Sequence, residues 1–200
     1  CSGKTTLCNE LAAKFSTHCV QVLHADDFRA YTLFGYRHVQ PDSKLRNWEH
    51  PANAAWNSLL SAVLQSREEM AREKSSGFPS PSLQPSILFV EGHMLMEDPR
   101  LAEEVDFCIW IDIDRETCRQ RRFTRKGCPS PAGWNNEVYF EECLWGAWLE
   151  HRRIVDANTR VLAARGDLVR LDGTMSLEKL SQEAARMVWE RIGVGADSKL

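Results

Sequence analysis

The sequence lacks several features that would place it in a specialised class of protein. Its longest apolar runs, such as residues 87–90 and 108–111, are far shorter than the roughly 20 residues that span a bilayer. The seven cysteines are odd in number and never form a CxxC pair, which argues against a disulfide framework and a zinc site. Because the opening residues do not resemble a secretory signal, we expect reduced thiols, a cytoplasmic protein and no membrane partner.

An excess of positive charge is also missing. The 25 basic residues face 28 acidic ones, so the net charge is −3, and no overall basic field exists to hold a nucleic-acid backbone. We therefore expect no nucleic-acid partner. Of the 200 residues, 43% are hydrophobic and 26% are charged, values that are typical of a soluble globular domain with a core of its own.

Short apolar strands alternate with amphipathic helices along the chain. Strands are predicted at 20–23, 87–90, 107–113 and 168–171, and the continuous apolar runs at 87–90 and 107–113 are typical of strands covered on both faces. Helices are predicted at 5–15, 51–70, 115–126, 137–156 and from a Ser176 cap to about 192. This order predicts an α/β fold with a parallel sheet and helices on both faces.

The first residues match the second half of a phosphate-binding loop. The full motif is G-x-x-x-x-G-K-[ST] between a buried strand and a helix, and Gly3-Lys4-Thr5 supplies its end. We therefore expect the first strand and half of the loop to be missing from this chain. The alternative is an ordinary helix N-terminus with a lysine in its first turn, and on this tripeptide alone the two interpretations are about equal.

Acidic residues follow three of the predicted strands, namely Asp26 and Asp27, Glu91, and Asp172. Ligands of parallel α/β sheets bind outside the carboxyl ends of the strands. Mg²⁺ prefers one or two carboxylates together with phosphates and water, so Asp26 and Glu91 are candidate metal ligands beside the Thr5 hydroxyl. A carboxylate facing a hydroxyl can also accept its proton. The alternative for Asp26 and Asp27 is a helix cap or a turn.

Two further groups of residues have both a functional and a structural interpretation. The basic cluster of 119–126 suits a lid that closes arginines onto a transferring phosphate, but it also suits a solvated helix face or a nucleic-acid patch. Trp48 could stack on a base and Glu49 could accept from sugar hydroxyls. From the residues alone, a helix cap with a packed Trp is the better interpretation of that pair. The histidines at 24, 50 and 93 have no metal-like spacing and are interpreted either as structural or as support for residues that bind a ligand.

Five motifs in order resemble those of the nicotinamide riboside kinases, which belong to the uridine-kinase-like group of P-loop kinases. The motifs are Gly3-Lys4-Thr5-Thr6, Ala25-Asp26-Asp27-Phe28, Val90-Glu91-Gly92, residues 118–125 (CRQRRFTR), and Leu171-Asp172-Gly173-Thr174. The resemblance implies a three-layer P-loop kinase domain over 1–192, with an insert at about 29–72, a lid at about 121–137 and a polar tail at 193–200. It also implies a monomer or a homodimer.

The resemblance further implies a role for each matching residue. Catalysis falls to Asp26, as base on the ribose 5′-hydroxyl, with Lys4 and Arg122. The residues that would bind ATP are Ser2, Gly3, Lys4, Thr5, Thr6, Arg121, Asp172, Gly173 and Thr174. Those that would bind the nucleoside are Asp26, Asp27, Phe28, Trp48, Glu49 and Arg122. Mg²⁺ would be held by Thr5, Asp26 and Glu91.

The resemblance therefore predicts ATP- and Mg²⁺-dependent phosphorylation of nicotinamide riboside to its mononucleotide, a step of NAD salvage. Two departures from the family pattern touch the base-binding region. Trp48-Glu49 stands where the family usually has Tyr-Asp, and residues 126–129 carry no aromatic side chain where the family lid usually has one. A uridine or cytidine kinase is the alternative within the class. A non-catalytic nucleotide-binding P-loop protein is the alternative outside it.

Overall fold

A computed structural model of the chain describes residues 2–28, 49–51, 54–75, 85–124 and 137–193. The predictions that concern Trp48, Arg125, Lys126, half of the insert (29–48 and 52–53), most of the lid (125–136) and the tail after 193 lie outside these residues. In the described residues, none of the helices combines the length and the hydropathy that a membrane span requires.

Four short strands and eight helices make up the described part of the chain. The strands are β1 (Val20–His24), β2 (Ile87–Glu91), β3 (Cys108–Asp112) and β4 (Leu168–Asp172). The helices are α1 (Lys4–Lys14), α2 (Trp56–Ser75), α3 (Pro99–Glu104), α4 (Arg115–Thr124), α5 (Glu137–Tyr139), α6 (Trp145–Asn158), α7 (Arg160–Ala164) and α8 (Leu177–Arg191). A π-helical turn, Phe140–Leu144, joins α5 to α6. The mixed α/β class is therefore confirmed.

Both strand pairs are parallel, as the order of elements predicts. β1 pairs with β2 so that His24 lies beside Glu91, and β3 pairs with β4 so that Asp112 lies beside Asp172. The carboxyl ends of the two strands in each pair therefore lie level with one another. In the described residues the four strands form two separate two-stranded sheets rather than one.

Helices cover opposite faces of the strands because alternate strand residues point to opposite sides. Phe89 of β2 packs with α1 and α8, in a cluster that includes Phe15 and Ala184. Its neighbours Leu88 and Val90 pack instead with Leu59, Val63 and Leu101 of α2 and α3. The strand ends are thus supported from both sides.

A cavity of about 540 Å³ separates β2 from β3. Its apolar lining includes Ile87 and Phe89 from β2, Ile109 and Ile111 from β3, and Leu7 from α1. Ile109 and Ile111 of β3 pack with the cluster of α1 and α8, and Cys108 and Trp110 pack with Val155 of α6 on the other side. The strand is therefore covered on both faces, as predicted, although each of its residues stays partly exposed. The missing first strand stays a prediction.

Helix boundaries follow capping chemistry where the sequence supplies it. Ser176 caps α8 by accepting from the Lys179 backbone N–H at 3.3 Å, as predicted. Helix α2 begins at Trp56, not at residue 51. The short helix α3, which the sequence analysis did not predict, is capped by Asp98 and has Pro99 in its first turn.

Candidate active site

Helix α1 begins where the phosphate-loop motif requires it. Gly3 precedes the helix with φ of 89°, a left-handed conformation that favours glycine, and no side chain caps the helix. The first N–H groups of α1 are therefore oriented toward an incoming anion. Ser2 is buried, and its hydroxyl oxygen accepts from Lys4 Nζ at 3.4 Å. Thr5 and Thr6 are exposed on the first turn.

Lys4 lies within the electrostatic reach of three carboxylates that the sequence analysis singled out. Burial lowers the pKa of Lys4 below its ordinary value, while the charges of Glu91, Asp26 and Glu49 act in the opposite direction. Residues that are far apart in sequence thus converge around one ammonium group. A phosphate bound here would add further negative charge beside Lys4 and favour its charged form.

Asp26 and Asp27 stand on a single 3₁₀ turn, Ala25–Phe28, directly after β1. Both are exposed. The adjacent strand end approaches closely, because a Cβ added to Gly92 would lie 2.6 Å from the Cβ of Ala25. Glycine at position 92 therefore lets the ends of β1 and β2 come together. Phe28 is partly buried and packs against the core cluster of α2 and α3.

Glu91 is the most constrained of the strand-end carboxylates. Its Oε1 accepts from the Thr5 hydroxyl at 3.1 Å and lies 2.8 Å from Nδ1 of His24. Its side chain is only 10% exposed. The contact with Thr5 joins the end of β2 to the first turn of α1. His24 contacts the same oxygen as Thr5 and so supports the side chain of Glu91.

The donor set suits a magnesium ion that is completed by phosphate oxygens. In the described ranges, no group of three or more His, Cys, Asp or Glu side chains could hold a metal ion unaided. Mg²⁺ does not require such a cage, since one or two carboxylates with phosphate and water suffice. The Thr5 hydroxyl and the Asp26 and Glu91 carboxylates are oxygen donors of this kind, grouped near Lys4.

A second cluster surrounds Glu49, whose side chain is 14% exposed. The Tyr139 hydroxyl donates to Glu49 Oε1 at 3.1 Å, and His93 Nε2 lies 3.1 Å from Glu49 Oε2. Burial by itself raises the pKa of Glu49, but His93, the charge of Arg122 and the Tyr139 hydroxyl together lower it to about 2. Glu49 is therefore ionised at any physiological pH.

Arg122 reaches this cluster from α4. Its guanidinium lies over the Tyr139 ring, 5.5 Å from the ring centroid. Arg121, next along the helix, donates instead to the Gly173 carbonyl at 2.6 Å. The two arginines thus contact different elements, and the separate ATP and nucleoside roles that the resemblance implies for them stay predictions.

The loop after β4 is tightly built. Asp172 accepts from the Thr174 hydroxyl at 2.7 Å and from its backbone N–H at 2.8 Å, and these bonds lower the pKa of Asp172. A Cβ at Gly173 would meet the Asp112 carbonyl at 2.7 Å, so this position has no room for a side chain. Arg121 therefore contacts a loop of fixed shape.

The structure brings most of the predicted site residues together at one end of the strands. Lys4, Thr5, Asp26, Glu91 and Glu49 share this end. The sequence analysis missed the part played by His93 and Tyr139. Position 93 lies immediately beyond the Val90-Glu91-Gly92 motif, which was a usable signal for His93. Tyr139 lies 90 residues from Glu49, and no local pattern links the two.

No family model matches the chain. It is 29% identical over 135 residues to a protein named uridine kinase from Clostridium perfringens (strain SM101 / Type A), an alignment that covers 62% of each chain. A uridine kinase of Brevibacillus brevis is 27% identical over 135 residues, 61% of its length. A uridine kinase-like protein 3 of Arabidopsis thaliana is 26% identical over 138 residues, 28% of its length. The aligned part thus spans about three-fifths of the bacterial relatives.

Proposed function

We propose that this chain carries the catalytic core of an ATP-dependent nucleoside kinase of the uridine-kinase-like group. The observation that carries the proposal is the convergence of Lys4 with Asp26 and Glu91 at the start of α1. Similarity to proteins named uridine kinase supports the same activity class. A helix N-terminus alone would be a weak indication, but strand-end carboxylates beside its lysine are what phosphoryl transfer from a nucleotide requires.

In the proposed reaction, the 5′-hydroxyl oxygen of the nucleoside attacks the γ-phosphorus of ATP. The bond from that phosphorus to the β–γ bridging oxygen breaks, ADP leaves, and the hydroxyl proton passes to the Asp26 carboxylate. Asp26 suits this task because it is exposed on a turn beside the phosphate-binding helix. Lys4 and Arg122 stabilise negative charge on the transferring group, since fixed positive charges are more effective in a partly dehydrated site than in water.

Thr5, Asp26 and Glu91 would hold Mg²⁺, which when bound neutralises phosphate charge and fixes the orientation of the nucleotide. The loop of Asp172, Gly173 and Thr174, held by Arg121, would lie beside the adenine. The protein's own contribution is then positioning. The helix N-terminus orients the phosphates, and the turn after β1 orients the acceptor hydroxyl.

We propose nicotinamide riboside as the acceptor. The support is the resemblance of the Arg121-Arg122 pair with Arg125, and of Asp172-Gly173-Thr174, to the nicotinamide riboside kinases. Uridine or cytidine is the second candidate, because the relatives reported above are named for uridine. Trp48 and the lid stretch at 126–129 distinguish the two, since both would face the base.

A substrate panel tests the proposal. The chain is expressed with whatever residues its gene encodes ahead of Cys1, and Mg²⁺-dependent release of ADP is measured with nicotinamide riboside, uridine and cytidine separately. Turnover with nicotinamide riboside that disappears in Asp26→Ala is expected. Turnover with uridine or cytidine alone would support the proposed reaction but show that the acceptor is a pyrimidine nucleoside. A folded protein that binds ATP but phosphorylates none of them would favour the non-catalytic alternative.

A further inference from the structure

The last turn of α4 carries an exposed hydroxyl that follows two arginines. Arg121 and Arg122 stand three and two residues ahead of Thr124 in the sequence. The other Arg-Arg pair of the chain, at 152–153, has Val155 at the corresponding position. Protein kinases select their substrates partly by the pattern of charge around the acceptor hydroxyl. Thr124 therefore has the sequence pattern that arginine-directed protein kinases select, and it is exposed.

A phosphate on Thr124 would weaken the last turn of α4. The Thr124 hydroxyl donates to the Gln120 carbonyl at 2.8 Å, and a phosphorylated oxygen no longer carries the proton for this bond. Thr124 is also the last residue of α4. A phosphate dianion at that position is opposed by the negative end of the helix dipole, so phosphorylation would loosen the end of the helix.

Arg121 is the residue of α4 that this phosphate would engage. Side chains three residues apart are neighbours on a helix surface, so Arg121 and Thr124 lie on the same face of α4. Arg121 donates to the Gly173 carbonyl at 2.6 Å, which is a neutral acceptor. A phosphate accepts more strongly from arginine than a neutral carbonyl does, because both partners are charged. The phosphate would therefore compete with Gly173 for Arg121.

The loop of Gly173 is held in place independently of Arg121. The Gly173 N–H donates to the Asp112 carbonyl at 2.6 Å, and Asp172 accepts from the hydroxyl and the N–H of Thr174. The loop therefore cannot move with Arg121, and the contact between the two would be lost. Because this loop and Arg121 are proposed to lie against ATP, losing their contact and adding negative charge nearby would both weaken the binding of ATP.

We propose that Thr124 is a phosphorylation site for an arginine-directed protein kinase and that its phosphorylation weakens the binding of ATP. In the modifying reaction, the Thr124 hydroxyl oxygen attacks the γ-phosphorus of the ATP held by the protein kinase. The bond from that phosphorus to the β–γ bridging oxygen breaks, ADP leaves, and the hydroxyl proton passes to the carboxylate base of the protein kinase. The effect on ATP rests on the proposed nucleoside kinase function, whereas the modification itself does not.

The first test is phosphorylation of the folded protein. The chain is incubated with ATP and a purified arginine-directed protein kinase, the catalytic subunit of cyclic-AMP-dependent protein kinase, and phosphate is located by mass spectrometry. We expect phosphate at Thr124 and none at that position in Thr124→Val. Ser61 is the internal control, because it is exposed on α2 and no arginine lies among the residues at 51–60. Absence of phosphate at Thr124 would overturn the proposal.

The second test measures the Kd for ATP by equilibrium dialysis, without an acceptor nucleoside. We expect the Kd to rise about tenfold on phosphorylation, the scale of one lost hydrogen bond to a charged group, and to recover after phosphatase treatment. Thr124→Glu and Thr124→Gln remove the same hydroxyl and differ in charge. The first should raise the Kd about threefold, because it carries part of the phosphate charge, and the second should stay within about twofold of the wild type.

Ser61→Glu is the matched control for negative charge at an exposed helix position, and it should leave the Kd for ATP unchanged. A phosphorylated protein that binds ATP as tightly as the unmodified one would contradict the proposal, and so would an equal rise in Thr124→Glu and Thr124→Gln. If the unmodified protein binds no ATP, the proposed function is wrong and the effect on ATP is wrong with it. If it binds ATP but phosphorylates no nucleoside, only the proposed function fails, and the Kd values still decide the role of Thr124.

Discussion

Two carboxylates near Lys4 are held in opposite ways. Asp26 stands exposed on a turn after β1, whereas Glu49 is 14% exposed and has both oxygens in contact with side chains. Both act on the charge of the same lysine. A group that must receive a proton has to be accessible to its substrate, while a group that must recognise a shape has to be fixed and ionised beforehand. Under the proposed function, Asp26 would therefore supply the chemistry and Glu49 the recognition of the acceptor within one site.

The largest expected effect concerns Asp26, the exposed carboxylate. Asp26→Asn keeps the size of the side chain but removes its basicity, and we expect kcat to fall about 1,000-fold, within the range for loss of a general base. Steady-state release of ADP measures it. Asp106→Asn is the control, because Asp106 is also exposed but precedes β3 at the opposite end of the strand. A fall of less than tenfold for Asp26→Asn would contradict the proposed role as base.

The next largest effect concerns Glu49, the fixed carboxylate, and is seen in how the free energy of unfolding changes at low pH. The folded pKa of Glu49 is about 2 against an ordinary value of 4.5, so this carboxylate contributes stability above pH 4.5 and loses it as the pH falls toward 2. The full contribution is on the order of 3 kcal/mol. Urea unfolding at several pH values measures it in the wild type and in Glu49→Gln. The free-energy difference between the two proteins should shrink across that window, and a constant difference would mean that Glu49 is not held as an anion.

Replacing Lys4 is expected to lower the activity of the protein without lowering its stability. Lys4→Met should reduce kcat/KM for ATP about 100-fold, the scale of losing one charged stabiliser of the transferring group. Burial lowers the pKa of Lys4, which means that its charged form is disfavoured in the folded protein. We therefore expect the variant to unfold at the same temperature as the wild type or at a higher one. A large loss of thermal stability would show that Lys4 has a structural role instead.

The smallest expected effect concerns Glu91, a carboxylate proposed to bind Mg²⁺, and the contact with His24 that supports it. His24→Asn removes the ring nitrogen that lies 2.8 Å from Glu91 Oε1. We expect the Mg²⁺ concentration at half-maximal rate to rise about tenfold, as for partners that orient a ligand, with little change in the KM for the acceptor. If instead the KM for the acceptor changes and the Mg²⁺ requirement does not, Glu91 contributes to binding the acceptor and not the metal.

Local patterns in the sequence predicted the strands and the start of the phosphate-binding helix. Each predicted strand lies within about two residues of its observed bounds, because β-branched and apolar runs such as Val20–His24 are strong local signals. The cap at Ser176 was likewise predictable from the sequence. Helix α3 was predictable in principle from Asp98 followed by Pro99, because this pair supplies a cap and a first-turn proline.

The recognition side of the site could not be predicted in the same way. Glu49 was proposed for sugar hydroxyls, but its surroundings depend on Tyr139, 90 residues away, and on His93, for which the adjacent Val90-Glu91-Gly92 motif is the one signal in the sequence. Contacts of that range are set by how the lid-side helices pack on the strands. The local sequence carries no record of that packing. The residues proposed to face the acceptor base, Trp48 and the stretch at 126–129, lie outside the described residues.

The gap between β2 and β3 has a consequence for handling the chain Cys1–Leu200 in solution. In the described part of the chain, β2 pairs with β1 alone and β3 with β4 alone, so two strand edges face one another across an apolar cavity. Unpaired edges with apolar side chains are templates on which any extended segment can add. A preparation of this chain is therefore expected to aggregate as its concentration rises.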